Sequence, residues 1–127
     1  MLDGQTVLVV ETEFIIALGI QSVLQSLGAA QVVLATGAAD AHKLTPSWTT
    51  VSLAIIEMEA NRPELIELAR QVSQSGIPVL GLSADVGLSS GVPELPGTPV
   101  IIKPIPDEDL RAAIRGRLRQ KPLPDVT

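Results

Sequence analysis

A chain of 127 residues, 46% hydrophobic and 18% charged, has the size and composition of one folded domain that can bury a core without staples. It has no cysteine and a single histidine, His42, which excludes disulfides, thiolate chemistry and a multi-histidine metal site within one chain. A net charge of −5 with a pI near 4.7 argues against nucleic acid and anionic membranes as partners.

Phe14 and Trp48 are the only aromatic residues, so the core must be aliphatic. Asp3 and Gly4 interrupt any apolar start that would read as a signal peptide. No apolar run is long enough to span a bilayer. A cytoplasmic location is the resulting expectation.

Thr6 to Val10 (TVLVV) predicts a strand buried on both faces, being short, β-branched and continuously apolar. Phe14 to Leu27 predicts a helix closed by Gly28. Its core stripe is expected at Ile16, Ile20, Val23, Leu24 and Leu27, with Phe14, Leu18, Gln21 and Gln25 on the opposite face. Gln31 to Ala35 predicts a second strand, and Ala38 to Leu44 a brief helix that stops before Pro46. His42 in that polar helix reads as a surface residue. Leu53 to Met58 (LAIIEM) predicts a third strand. Pro63 to Ser75 predicts a helix with proline in its first turn and Gly76 after its end.

Pro78 to Ser83 predicts a fourth strand. The stretch from Asp85 to Pro99 is rich in Gly, Pro and Ser, and at most a weak helix is expected there. Val100 to Lys103 predicts a fifth strand and Asp107 to Gln120 a last helix. Its acidic start and its Arg115, Arg117 and Arg119 match the helix dipole. The tail from residue 121 is expected to be loose.

Short apolar strands alternating with helices imply a parallel sheet covered on both faces. Working sites in such sheets lie at the carboxyl ends of the strands. Those ends carry Glu11, Thr12 and Glu13; Glu57 and Glu59; Ser83 and Ala84; and Lys103 with Pro104. Taken alone, these could be solvated caps. No G-x-G-x-x-G and no P-loop sequence appears. Ser83 and His42 do not assemble into a nucleophile–base pair on sequence grounds, so an enzyme is not expected.

Four segments in order resemble the response-regulator receiver family of two-component signalling. They are VLVVETE at Val7 to Glu13, LAIIEME at Leu53 to Glu59, VLGLSA at Val79 to Ala84, and VIIKP at Val100 to Pro104. The resemblance runs from about Thr6 to Gln120. It implies an α/β, flavodoxin-like (CheY-like) three-layer sandwich with a five-stranded parallel sheet of order 2-1-3-4-5. It also implies a receiver domain over 1–120, followed by the tail at 121–127.

The resemblance places the phosphoacceptor position on Glu57 and the paired acidic metal ligands on Glu11 and Thr12. The switch residues fall on Ser83 and Lys103, and the aromatic reporter position on Val100. Phosphoryl transfer needs an in-line nucleophile and a cation that neutralises charge. Thr12 offers only a neutral hydroxyl in place of a carboxylate. Glu57 is longer than aspartate by one methylene, about 1.5 Å of extra reach, and misplacement of that order costs roughly a hundredfold in rate.

An atypical receiver that acts without phosphorylation is therefore the expectation. It would have no cofactor beyond weak magnesium and no dedicated metal site. Lys103 is expected to pair with Glu57 or Glu11. Two readings of Glu57 stay open: it holds Lys103 and Ser83 as a phosphoryl group would, or the pocket has drifted and is only structural. Implied partners are proteins: a histidine kinase, a phosphotransfer protein, an output domain or a second copy, met through Phe14 and Leu18. Two alternatives stay open. One is a phosphorelay receiver still able to accept phosphate, and the other is a small nucleotide-binding α/β enzyme.

Overall fold

The structure is a computed structural model that describes residues 1–44 and 49–119. The predicted tail at 121–127 and the stop at Pro46 lie outside the described residues. The elements are β1 (Thr6–Val10), α1 (Phe14–Ser26), β2 (Gln31–Ala35), α2 (Ala38–Lys43), β3 (Val51–Glu57), α3 (Pro63–Gln74), β4 (Val79–Ser83), β5 (Val100–Ile102) and α4 (Asp107–Arg119). The five strands form one sheet of order β2-β1-β3-β4-β5, and every neighbouring pair is parallel. Among the described residues, no helix is long and apolar enough to cross a membrane.

Strand side chains alternate between the two layers, as the pleat requires. Leu8, Val10, Ala54 and Ile56 pack with Leu65, Leu68 and Val72 of α3. Val7, Val9, Leu53, Ile55, Leu80 and Leu82 pack with Ile20, Val23 and Leu24 of α1 and with Leu110 and Ile114 of α4. Both faces of the central strands are dry, which explains runs such as TVLVV that are apolar at every position. Burying each of the large side chains contributes roughly 1.5–3 kcal/mol.

Several boundaries differ from the sequence reading. β3 starts at Val51 and ends at Glu57, and β4 starts one residue after Pro78, which has no N–H for the ladder. β5 stops at Ile102, leaving Lys103 just beyond it. α1 ends at Ser26 and α2 at Lys43. α1 buries Ala17, Ile20, Val23 and Leu24, whereas Ile16 and Leu27 are only half-buried. Gly28 follows α1 at φ 95°, a left-handed conformation that suits glycine and closes the helix. His42 is exposed, as expected.

The connection from β4 to β5 holds only a 3-10 turn at Val86–Leu88. Asp85 Oδ1 closes that turn by accepting from Gly87 N–H at 2.8 Å. The three prolines at 93, 96 and 99 cannot donate into a helix. The segment instead covers the sheet directly, with Val92, Leu95 and Thr98 buried.

Gly81 sits at the centre of this arrangement. A Cβ there would lie 2.9 Å from the Met58 sulfur and 3.1 Å from Val100 Cγ2. Val100 thus faces inward over Gly81, and the position offers no swinging aromatic. Gly81→Ala should overpack this spot and cost about 1–3 kcal/mol, read as a lowered midpoint in denaturant unfolding. An unchanged midpoint would show that Met58 yields freely.

Candidate functional site at the carboxyl ends of the strands

The ends of β1, β3, β4 and β5 each deliver a polar group because the parallel ladder stops in step. Met58 N–H donates to Leu82 O at 2.7 Å, and Lys103 N–H donates to Ser83 O at 2.8 Å. Just past these bonds Glu11, Glu57, Ser83 and Lys103 converge. All four are deeply set: Glu11 is 1%, Glu57 5% and Ser83 0% exposed, and the Lys103 side chain is 6% exposed. Buried charges survive only when paired and hydrogen-bonded, and here they are.

Lys103 Nζ donates to Glu11 Oε1 at 3.0 Å. It lies 3.7 Å from Glu57 Oε2 and 3.9 Å from Glu13 Oε1. The second oxygen of Glu11 accepts from Glu13 N–H at 2.9 Å. Glu57 Oε1 accepts twice from Thr12, from its N–H at 2.9 Å and from its hydroxyl at 2.8 Å. The peptide bond from Lys103 to Pro104 is cis.

Burial pushes the Glu57 carboxyl up, but the two Thr12 bonds, the Glu11 contact and the Lys103 charge outweigh it and hold its pKa below 4.5. Burial pushes Glu11 up as well, and there it wins over the bonds from Glu13 and Lys103. Burial pulls Lys103 down, but Glu11, Glu57 and Glu13 together raise it above 10.5. Glu57 and Lys103 are therefore the firmly charged members, and Glu11 takes up a proton first.

Ser83 departs from expectation. It is not held by Glu57; its hydroxyl donates to Glu59 Oε2 at 3.1 Å, and Ala84 N–H donates to Glu59 Oε1 at 3.0 Å. In place of the single carboxylate spanning Lys103 and Ser83 that the phosphoryl-mimic reading requires, there are two, Glu57 beside Lys103 and Glu59 on Ser83. Glu57 is too engaged with Thr12 to reach both.

Glu59 is among the strand-end residues read from the sequence, and the alternation of β3 puts it on the side of Glu57. Residues 57 and 59 share a face, while Met58 turns to the other layer. Glu13, at the end of β1, adds a third carboxylate near Lys103.

A divalent cation does not fit this donor set. Thr12 uses its hydroxyl to donate to Glu57, and the Glu11 oxygens are taken by Lys103 and Glu13. Among the described residues, no group of three or more His, Asp or Glu side chains is arranged to hold a metal ion. Magnesium demands near-octahedral oxygen at short distance, so binding here should be millimolar or weaker. Calorimetric titration showing micromolar affinity would overturn that expectation.

Beside the pocket, α1 and α4 enclose a groove of about 250 Å³, lined by Ile15, Ile16, Gly19, Ile105 and Leu110 among others. Phe14, Ile15 and Leu18 are exposed at 60%, 84% and 41%. Phe14 and Leu18 are thus on the surface as expected, and Ile15 joins them unannounced.

A five-stranded parallel sheet of this order is the flavodoxin-like arrangement. No family model and no curated protein matches the sequence. Solved structures match the fold at low identity. A response regulator receiver protein from Sinorhizobium medicae is similar with a TM-score of 0.73 and 20% identity, over 95% of this chain and 99% of its own. A receiver domain protein from Clostridium thermocellum gives 0.75 and 19%, over 92% and 96%. The CheX–CheY–BeF3–magnesium complex of Borrelia burgdorferi gives 0.74 and 14%, over 90% and 89%. The chain therefore has the CheY-like receiver fold.

Proposed function

We propose that this chain is an atypical receiver domain of a two-component system, spanning 1–120, that works as a protein-interaction module without phosphorylating Glu57. The observation that carries this reading is the engagement of Glu57. One oxygen accepts two hydrogen bonds from Thr12 and the other faces Lys103. A nucleophile must be aligned with the transferring group, and the orientation of the Glu57 carboxylate is set by Thr12, which holds one of its oxygens by two hydrogen bonds. The lost acidic ligand at Thr12 removes the cation that would neutralise developing charge. Enzymatic turnover is not part of this reading, and the location is cytoplasmic.

The test is direct. Wild-type protein treated with acetyl phosphate and magnesium should keep its intact mass. A phosphate adduct on Glu57 would overturn the reading in favour of a working phosphorelay receiver.

The partner surface is α1. It carries no charged residue from Phe14 to Ser26, and Phe14, Ile15 and Leu18 stand exposed on it. An exposed apolar stripe on a helix suits a helix of a kinase, a phosphotransfer protein or a second copy. Phe14→Ala with Leu18→Ala should weaken capture of such a partner, or self-association in sedimentation, by roughly fivefold or more. Unchanged behaviour in both assays would remove α1 as the contact.

A further inference from the structure

Gly19 is an exposed residue in the middle of α1, and a Cβ there would meet nothing within 4 Å. Glycine is the poorest helix former after proline, and the φ of Gly19 is not positive. Neither backbone nor packing within one chain calls for glycine at this position. One turn earlier stands Ile15, 84% exposed. Both residues border the groove between α1 and α4, whose walls include Ile16, Ile20, Ile105 and Leu110. Its volume of about 250 Å³ is below the ~300 Å³ at which sites for drug-sized ligands begin. It suits an inserted aliphatic side chain better than a cofactor.

Charge narrows the occupant. α2, α3 and α4 all carry charged side chains, whereas α1 carries none. Two copies of a chain at −5 repel one another at long range, so they meet with least opposition at a neutral face. Spacing narrows it further. A knob and a hole four residues apart on one helix are about 6 Å apart, and a two-fold axis between them sets each knob on the other copy's hole.

We propose that the occupant of this groove is a second copy of the chain: two α1 helices pack antiparallel about a two-fold axis, with Ile15 of each seated over Gly19 of the other. The missing Cβ lets the backbones approach closely. The exposed Phe14 and Leu18, on the adjoining strip of α1, are covered by the same contact. Lys103 and Pro104 also border the groove, so the contact abuts the carboxyl-edge site. This inference rests on the reading of α1 as the partner surface and names the partner.

Sedimentation equilibrium of the full chain tests it. Wild type should dimerise reversibly with concentration. Ile15→Asp places a charge on each knob, and Gly19→Leu fills each hole; either should weaken the dimer at least ~10-fold. Gly19→Leu replaces glycine with a better helix former in open space, so it should fold at least as well as wild type and serves if Ile15→Asp does not fold. Val86→Asp, at an exposed apolar residue outside α1, should leave the dimer unchanged. The chain has no cysteine, so introduced thiols report only on themselves. Ile15→Cys mixed with Gly19→Cys should form a disulfide-linked dimer faster than either variant alone. Dimerisation untouched by Ile15→Asp and Gly19→Leu, or faster linkage of Ile15→Cys to itself, would overturn the arrangement. A wild type that stays monomeric up to ~1 mM would overturn the second copy as occupant. That result is distinct from failure of α1 as a partner surface, which also requires that Phe14→Ala with Leu18→Ala leave capture of a kinase or phosphotransfer helix unchanged.

Discussion

Lys103→Met should destabilise the protein by about 3–5 kcal/mol at neutral pH, the usual cost of removing one partner from a buried ion pair. That is a large share of the total for a domain of this size and corresponds to a loss of roughly 10–20 °C in Tm. The reason is geometric. The Lys103 ammonium is the one cation in contact with both Glu11 and Glu57 among the described residues, and it donates to Glu11 at 3.0 Å. Methionine keeps most of the stem and leaves two buried carboxylates without a counter-charge. The deficit against wild type should narrow as pH falls, because protonation removes the charges that need compensation. A loss below about 1 kcal/mol, the value of an exposed pair, would show that water already screens the site.

The same groups set the pH profile of the wild type. Glu57 has a depressed pKa, so its stabilisation is present above 4.5 and disappears as pH falls through its folded value. Glu11 has a raised pKa, so it acts in the opposite sense and costs stability as pH rises from 4.5 towards its folded value. Lys103 has a raised pKa; its contribution is complete below 10.5 and is lost as pH climbs through the folded value. Stability should therefore fall steeply on the alkaline side once Lys103 loses its proton. Denaturant midpoints across pH measure this, and the absence of such an alkaline decline would contradict the pairing.

Glu57→Asp with Thr12→Asp should give a protein that gains phosphate from acetyl phosphate in a magnesium-dependent way, by roughly two orders of magnitude over wild type. The shorter side chain releases the carboxylate from Thr12, and the new Asp beside Glu11 provides the acidic pair that a magnesium ion requires. Lys103 is already at the site. Glu57→Asp alone should do less, because the cation would still be poorly held. Without magnesium the double variant should be less stable than wild type, having gained a carboxylate and lost two hydrogen bonds. Adding magnesium should raise its Tm by ligand linkage. Glu59 is the remaining obstacle, since it occupies Ser83 and Ala84; adding Glu59→Ala should increase labelling further. Intact-mass spectrometry reads the adduct. Failure of the double and triple variants, with the fold intact, would mean that the backbone at residues 58–62 no longer supports the metal.

The order of strands and helices was legible in the sequence because its signals are local. Runs such as TVLVV, the glycines after α1 and α3, and the proline at the start of α3 act within a few residues of themselves. Glu11, Thr12, Glu57, Ser83 and Lys103 could be assigned to one edge for the same reason, since each follows a strand and parallel strands end together. Who bonds to whom could not be assigned that way. Thr12 and Glu57 are 45 positions apart, and Lys103 and Glu11 are 92 apart. A hydrogen bond between them depends on sub-ångström placement across the sheet, which no local pattern encodes. Tertiary structure alone decided that Thr12 engages Glu57, that Glu59 and not Glu57 holds Ser83, and that Ile15 stands in solvent while Ala17 is buried. It also decided that the Gly- and Pro-rich stretch between β4 and β5 covers the sheet with Val92 and Leu95 in place of a helix, because burial there depends on the apolar cluster with Met58 and Val100 that these residues join.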